Sequence, residues 1–512
     1  MPSTDRADGV VFKSRRIFMH GLRELGRRIW GKMGGPGPAS VPGSGRVIFS
    51  FIVDVDPKFA YQGYHLARSL IEHSADVPED IHVQFTAEVS ADTRDLFAAL
   101  GCSRHQIERF GDGRYCNKIA QLTNLHEFDC SIVVLLDTDM IAVGDIRPFL
   151  SATHLVAKPV DFPNPPVATL EEIARMAGMT TLPPAASVDA SDETTLDGNF
   201  NGGFYSIPKQ LSRQVDAEWR RWATWMLEHI EPLRNIGREI HADQVSMWLA
   251  VNMGGIPYRN AVSNVNYYVH CDGGHRYFDA AHDIALLHYH DVSLNVVGKL
   301  EPPAELDDRA HAAVEQANRQ IGEGFESTSF WNLRYSRFSE RGSGVGSRGE
   351  NLLYKRTLLV EQGVEASEGV LDVGCGDLEV VGPLSLKGYL GIDTSERAIE
   401  TAQHVRPDWE FRHVGRTHRH EPSFNRETVL CFEVLIHQRS EADYRALIRF
   451  LAECTDRTLL VSGYGGDYEG RAANSMIFFY EPLDESLRKT GKFRSVQAVG
   501  SHTDVTVFRC DV

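Results

Sequence analysis

The sequence predicts an α/β protein in which two parallel-rich sheets follow one another behind a basic amphipathic helix. Three observations predict it. Apolar strand segments alternate with helical patterns in two separate stretches of the 512 residues, as parallel sheets with crossover helices require. At roughly 100–200 residues per domain, that length suits two or three domains. Each stretch also contains a strand that runs straight into acids or glycines, which is where open α/β sheets place their ligand sites.

Residues 1–45 come first, as a head and linker. Phe18, Leu22, Leu25, Ile29 and Met33 recur at helical spacing among Arg15, Arg16, Arg23, Arg27, Arg28 and Lys32. Eight basic against three acidic residues give this segment a charge of +5 in a chain whose net charge is −17, so the remainder carries −22. A basic amphipathic helix over residues 10–33 can lie on an anionic membrane surface or pack on its own protein. The Gly-, Pro- and Ser-rich stretch from Gly34 to Gly45 reads as a linker. The acidic balance argues against a nucleic-acid partner.

The first α/β stretch spans 46–300. It opens on the strand Val47 to Val53, followed by a helical pattern through Tyr64, Leu66, Leu70 and Ile71, and has a second buried strand at Ser131 to Leu136. A polar, helix-favouring connector covers 301–325. The second α/β stretch spans 326–512, with strands at Gly369–Val373, Tyr389–Ile392, Thr428–Cys431, Thr458–Val461 and Val505–Phe508. Eight scattered cysteines without a CxxC pair read as reduced thiols of a cytosolic protein. No apolar run reaches 18 residues and no secretory signal is visible. The location expected is the cytoplasm, with contact to the inner membrane face through the head.

In the first stretch the strand Val133-Val-Leu-Leu ends on Asp137 and Asp139. Two acids spaced i, i+2 at a strand end can reach one hard cation, and Mg²⁺ or Mn²⁺ prefers oxygen ligands shared with substrate phosphates. The same pair could also be two solvated acids of a capped turn. Further along stand Asp243, which could orient a hydroxyl, act as a base or N-cap a helix, and the pair His288 and His290, which could be ordinary strand histidines, one in and one out.

These residues lie in an order that resembles a GT-A-type nucleotide-sugar glycosyltransferase, closest to the glycogenin and galactosyltransferase-like group. Val53-Asp-Val-Asp56 with Tyr61 resembles that family's nucleotide-binding start, Tyr115-Cys-Asn-Lys118 its basic segment, and Asn199-Phe-Asn-Gly-Gly-Phe-Tyr205 its loop beside the donor sugar. His241-Ala-Asp-Gln244 resembles the helix start facing the transferred sugar, and Leu287-His-Tyr-His290 the late histidine. The resemblance implies a GT-A mixed sheet and a metal held by Asp137, Asp139 and His288. It implies a nucleotide sugar, such as a UDP-sugar, bound by Asp54, Tyr61, Lys118, Asn201, Gly202 and Gly203, with Asp243 at the reacting sugar. The group's glycine- and lysine-containing run after the late histidine has no clear counterpart, since Asp291-Val-Ser-Leu-Asn follows and Lys299 comes later. Retaining or inverting stereochemistry stays open.

In the second stretch Gly369-Val-Leu-Asp-Val-Gly-Cys-Gly-Asp377 carries a strand into a glycine turn, and a second strand ends at Asp393, nineteen residues past Gly374. Glycines admit a ligand to the turn, and an acid there can accept both ribose hydroxyls. The third glycine of a dinucleotide fingerprint is missing, so an adenosine cofactor without a pyrophosphate fits better.

This layout resembles the class I S-adenosylmethionine (SAM)-dependent methyltransferases, Rossmann-like doubly wound sheets. Asp372 to Asp377 is similar to their first motif, Asp393 to the ribose-binding acid, with Thr394 and Ser395 beside the adenosine, and Cys431-Phe-Glu-Val-Leu-Ile-His437 to the segment that lines the acceptor face with Glu433 and His437. Phe330-Trp-Asn-Leu-Arg-Tyr335, then Gly342-Ser-Gly-Val-Gly-Ser-Arg-Gly349 and Lys355, resemble a bacterial subgroup's lead-in that closes over the cofactor. The resemblance thus implies SAM held by Asp372, Gly374, Gly376, Asp377, Asp393, Thr394, Arg334 and Gly346, with His437 and Glu433 catalytic. His437 could be a base or a structural helix-start residue. Together the two stretches predict a bifunctional enzyme that adds a sugar to a saccharide or glycolipid acceptor and O-methylates a saccharide. The alternative is a methyltransferase carrying a non-catalytic sugar-binding module.

Overall fold

In the computed structural model, strand β1 (Val47–Val53) lies between β2 (Ile81–Phe85) and β4 (Ile132–Leu136), both parallel to it. The structure describes residues 45–272, 275–290, 293–303, 305–338, 342–415, 420–466 and 476–512. The basic head, and with it the membrane expectation, lies outside the described residues. The first sheet adds β3 (Ser103–Gln106), β6 (Leu155–Pro159), β9 (Phe200–Pro208) and β10 (Tyr258–Asn260), in the order β10-β6-β9-β4-β1-β2-β3. Strand β9 is antiparallel to both β4 and β6, which makes the sheet mixed. Three short strands, β5 (Met140–Ala142), β11 (Tyr267–Tyr268) and β12 (Leu286–His288), form a small second sheet. A hairpin pairs β7 (Ala185–Ser187) with β8 (Thr194–Leu196).

Strand β4 is apolar throughout because both its faces are covered. Val133 and Leu135 enter one core cluster, and Ile132, Val134 and Leu136 enter the other. After β1 the chain enters the helix Pro57–His73, which starts where Asp56 accepts from the Lys58 N–H and proline occupies the first turn. The connector forms the helix Asp308–Glu323, capped by Asp307. Its Ala310, Ala313, Val314, Ala317 and Ile321 pack with Tyr61, Ile141 and Leu287 from before it, and with Phe330 and Leu333 from the helix Ser327–Arg337 after it. One apolar cluster therefore joins the two α/β stretches.

The second large sheet contains β13 (Val370–Val373), β14 (Tyr389–Asp393), β15 (Glu410–His413), β16 (Arg426–Cys431), β17 (Thr455–Gly463), β18 (Ser495–His502) and β19 (Val505–Asp511). Its order is β15-β14-β13-β16-β17-β19-β18, parallel except for β19, which is antiparallel to β17 and β18. In both sheets the strand order reverses beside the first strand, between β1 and β4 and between β13 and β16. Crevices at such switch points are where doubly wound sheets bind ligands. The chain is α/β with two Rossmann-like sheets. Among the described residues no helix is long and apolar enough to cross a membrane, and all eight cysteines are free and buried.

Candidate functional site

At the carboxyl end of β4 the structure brings together Lys118, Asp137, Asp139, Asn201, Gly202, Gly203, Asp243 and His288. Ligand atoms of Asp137, Asp139 and His288 all lie within 4.8 Å of one another. Pairing of β4 with β9 sets this up, because the Asp137 N–H donates to the Gly203 carbonyl at 3.0 Å. Strand β12 pairs antiparallel with β5, placing His288 opposite Met140 beside the two acids. His288 Nε2 stands 3.4 Å from Asp139 Oδ1. Burial alone would raise the Asp139 carboxyl, but His288 overrides it and the carboxyl stays well below the ordinary range.

Asn266, fully buried, fixes the histidine. Its Oδ1 accepts from His288 Nδ1 at 2.9 Å, and its Nδ2 donates to Asn201 Oδ1 at 3.1 Å. The same Asn201 oxygen accepts from the Gly203 N–H at 2.9 Å. With Nδ1 committed as donor, Nε2 of His288 is the ring atom that could hold a metal. Glycine is required at 203, since a Cβ there would lie 2.6 Å from His288 Cε1.

Lys118 supplies the positive charge. Its Nζ lies 2.6 Å from Asp137 Oδ1 and 3.8 Å from Asp243 Oδ2, and it donates to the Gly202 carbonyl at 2.6 Å. Burial works against the ammonium, yet Asp137 and Asp243 together hold its pKa above the ordinary value. Asp243 sits in the first turn of the helix Ala242–Met253 without capping it, as His241 is the N-cap residue. Burial lifts the Asp243 carboxyl to about 6, with Lys118 opposing and Asp137 reinforcing the shift. Its Oδ1 is buried without a hydrogen-bond partner among the described residues.

Two residues expected at the nucleotide are engaged elsewhere. Asp54 is held by Arg109 through bonds of 2.9 and 2.7 Å, and by Thr86 Oγ1 at 2.7 Å. Tyr61 is buried in the cluster that joins the two stretches, and its hydroxyl donates to the Gly298 carbonyl at 2.8 Å. The two histidines do not point in and out. β12 ends at His288, and His290 follows with φ 51°, so their rings stack at 4.0 Å.

The second site is a cavity of about 1090 Å³ at the carboxyl end of the β13 sheet. Gly374, Asp393, Thr394, Arg334, Gly346, Glu433 and His437 all line it. The turn after β13 needs its glycines, with Gly374 at φ 78° and Gly376 at φ 56°. Asp393 accepts from the Gly376 N–H at 3.0 Å and the Ser395 N–H at 2.8 Å. Burial raises its carboxyl to about 6. Asp377 ties down the lead-in by accepting from Ser343 Oγ and Arg348 Nη2, both at 2.6 Å. Arg334 donates to the carbonyls of Gly342 and Val296, each at 3.0 Å. Asp372 lies beneath the cavity rather than in its wall. Tyr389 donates to it at 2.9 Å, and burial raises its carboxyl to about 7.

Glu433 and His437 face the opening. Glu433 adopts a left-handed φ of 60°, a strained choice for this residue type. It is held there by the buried Lys355 Nζ at 2.6 Å and by its own N–H, which donates to Ser462 Oγ at 2.8 Å. His502 Nε2 is 3.2 Å from Glu433 Oε1 but out of hydrogen-bonding alignment. His437 lies in a single 3₁₀ turn, and its Nδ1 donates to the Met476 carbonyl at 2.7 Å. Burial lowers its pKa, so the ring is neutral at pH 7 with Nε2 free to accept a proton.

Asn266 and Tyr389 are site residues that motif spacing does not reveal. Each reaches its partner only through the tertiary fold.

No protein-family model and no curated protein sequence matches the chain. Among solved structures it is similar to the magnesium protoporphyrin IX methyltransferase ChlM from Synechocystis PCC 6803 with bound SAH, at 18% identity over 36% of this chain and 97% of that one, TM-score 0.29. It is similar to mouse xyloside xylosyltransferase 1 at 13% identity over 48% of this chain and 98% of that one, TM-score 0.30. The bifunctional glycosyltransferase WbbM matches at 13% identity over 54% of this chain and 53% of that one, TM-score 0.30. At such identities and scores these likenesses carry no argument about activity, which rests on the residues of the two sites.

Proposed function

We propose that the chain is a bifunctional glycan-modifying enzyme. One site transfers a sugar from a nucleotide-sugar donor with the help of Mn²⁺ or Mg²⁺, and the other moves a methyl group from SAM to a saccharide hydroxyl. The observation that carries the reading is the convergence of Asp137, Asp139 and His288, from two separate segments, beside an Asp243 carboxylate oxygen that has no hydrogen-bond partner among the described residues. A divalent ion there would neutralise a diphosphate leaving group. Lys118 adds a fixed positive charge, and Asp243 orients the acceptor hydroxyl or takes its proton.

In the second site Asp393 and the turn Gly374–Asp377 hold the cofactor, with the Ser343–Arg348 loop drawn down by Asp377. The bound sulfonium is already activated, so the site needs chiefly to align its acceptor. His437 Nε2 then accepts the hydroxyl proton. The acceptor is a saccharide or glycolipid, and residues 10–33 bring the chain to an anionic membrane surface. Liposome flotation of the full chain against a variant lacking residues 1–40 tests the last point. Equal flotation refutes it.

A second reading has its own support. Lys118 already neutralises Asp137 at 2.6 Å, which would suit a non-catalytic sugar-binding module beside an active methyltransferase. A mass-spectrometric screen decides between the two. It offers a nucleotide-sugar panel, Mn²⁺ and SAM to saccharide acceptors, and looks for products heavier by a hexose, a methylene or both. Sugar transfer that disappears in the double variant Asp137→Ala, Asp139→Ala supports the bifunctional reading. Methylation without any sugar transfer or nucleotide-sugar hydrolysis supports the second.

A further inference from the structure

A second group of metal-ligating side chains stands near the first. We propose that Asp161, His270 and Cys271 form a cation site of their own, one that takes a borderline-soft divalent ion such as Zn²⁺. One ligand atom from each of the three lies within 4.8 Å of the others. The donor set of oxygen, nitrogen and sulfur differs in kind from the two carboxylates and one histidine at Asp137, Asp139 and His288. Thiolate and imidazole select Zn²⁺ or Co²⁺, whereas a carboxylate-rich set suits Mn²⁺ or Mg²⁺. The inference does not rest on the glycosyltransferase reading.

The surroundings favour a cation. Asp161 Oδ2 and His270 Nε2 are already 3.0 Å apart, and both side chains are about one-fifth exposed, at 19% and 21%. Three protein ligands and one open position is the arrangement of a zinc site that exchanges its fourth ligand. Binding would release the Cys271 proton to solvent, and the thiolate with Asp161 would then balance a divalent charge. Lys158 is the cation that would oppose it, but Asp189 neutralises Lys158 at 2.7 Å.

His290 is a further donor beside His270. Its ring meets that of His270 edge-on at 4.2 Å while stacking on His288. The buried Nδ1 atoms of His270 and His290 have no hydrogen-bond partner among the described residues. His290 is also held at φ 51°. Left-handed backbone at a residue other than glycine is costly and concentrates at functional positions.

The test uses the full chain stripped with a chelator. Co²⁺ is titrated in while the near-ultraviolet thiolate-to-cobalt charge-transfer band is followed, and bound zinc is counted by elemental mass spectrometry. The double variant Asp137→Ala, Asp139→Ala should keep one zinc and the band. Adding Cys271→Ser should abolish both, and adding His270→Gln instead should abolish the zinc although every cysteine remains. Thermal melts of each variant confirm folding. A band absent from the unsubstituted chain, or zinc that survives either added substitution, overturns the proposal.

Discussion

Replacing Gly203 by alanine is the sharpest probe of the Asp137 site. Gly203 does not have a positive φ, so alanine meets no backbone penalty and the whole effect is contact. The new methyl would stand 2.6 Å from His288 Cε1, 2.8 Å from Nδ1 and 3.0 Å from Asn201 Oδ1. Ordinary carbon contact begins near about 3.5 Å, so the imidazole must retreat by about 0.9 Å. Metal–ligand distances tolerate only about 0.2 Å. His288 would therefore leave the ion, and its Asn266 bond and the Asn201–Asn266 bond would be disturbed with it. Losses of this kind lower metal affinity by roughly 10–100-fold, or about 1.4–2.7 kcal/mol. Mn²⁺ binding is measured by electron paramagnetic resonance of the free ion, with nucleotide-sugar hydrolysis as the activity readout. SAM affinity by calorimetry serves as the control in the same molecule. Unchanged Mn²⁺ affinity in Gly203→Ala, with unchanged hydrolysis, would refute the assignment of His288.

Three other outcomes follow from the geometry. Asp393→Ala strands the N–H groups of Gly376 and Ser395, at a cost of about 1–3 kcal/mol each, and should weaken SAM binding by about tenfold or more in calorimetry. His437→Gln should cut methyl transfer by about 10²–10⁴ while leaving SAM affinity intact, and a variant that keeps its rate removes His437 from the chemistry. Asp243, lifted to about 6 by burial from an ordinary 3.8, binds its proton more tightly folded than unfolded. Its ionisation therefore costs stability as pH rises from 3.8 towards 6, while sugar transfer, needing the carboxylate, should climb through about pH 6. Asp243→Asn should remove that climb from a pH–rate profile.

What could be read from the sequence was what lies in short, periodic stretches. Strand β4 is a run of apolar residues because two cores cover it, and that run ends at Asp137 and Asp139 whatever the rest of the chain does. Asp393 was legible by spacing, because the short, helix-free crossover over 374–388 limits how far the second strand end can lie from Gly374. The limits appear where a role depends on distant partners. Asn266 orients His288 across 22 residues, and Tyr389 holds Asp372 across 17; neither leaves a pattern. Tyr61 and Asp54 show the converse. The resemblance puts both at the nucleotide, while in the fold Tyr61 turns inward to Gly298 and Asp54 pairs with Arg109. The antiparallel pair β18 and β19 was half visible, since β19 buries Val505, Val507, Phe508 and Cys510 whereas β18 buries only His502.

The cavity at the carboxyl end of the β13 sheet is not a property of the C-terminal stretch alone. Tyr64, Val296 and Val297 line it together with Glu433 and His437. Residues 293–300 follow closely after His288, and there the Val296 carbonyl accepts from Arg334, which also holds Gly342 at the start of the lead-in. Two residues on, the Gly298 carbonyl accepts from Tyr61. A Cβ at 298 would sit 2.2 Å from the Tyr61 hydroxyl, so this crossing tolerates no side chain. The segment leaving the Asp137 site thus becomes a wall of the cavity that holds Asp393, and the same apolar cluster fastens both. A fusion made only for joint expression would not need the first half to complete the second half's pocket. The packing instead puts residues from both halves of the chain into the wall of one cavity.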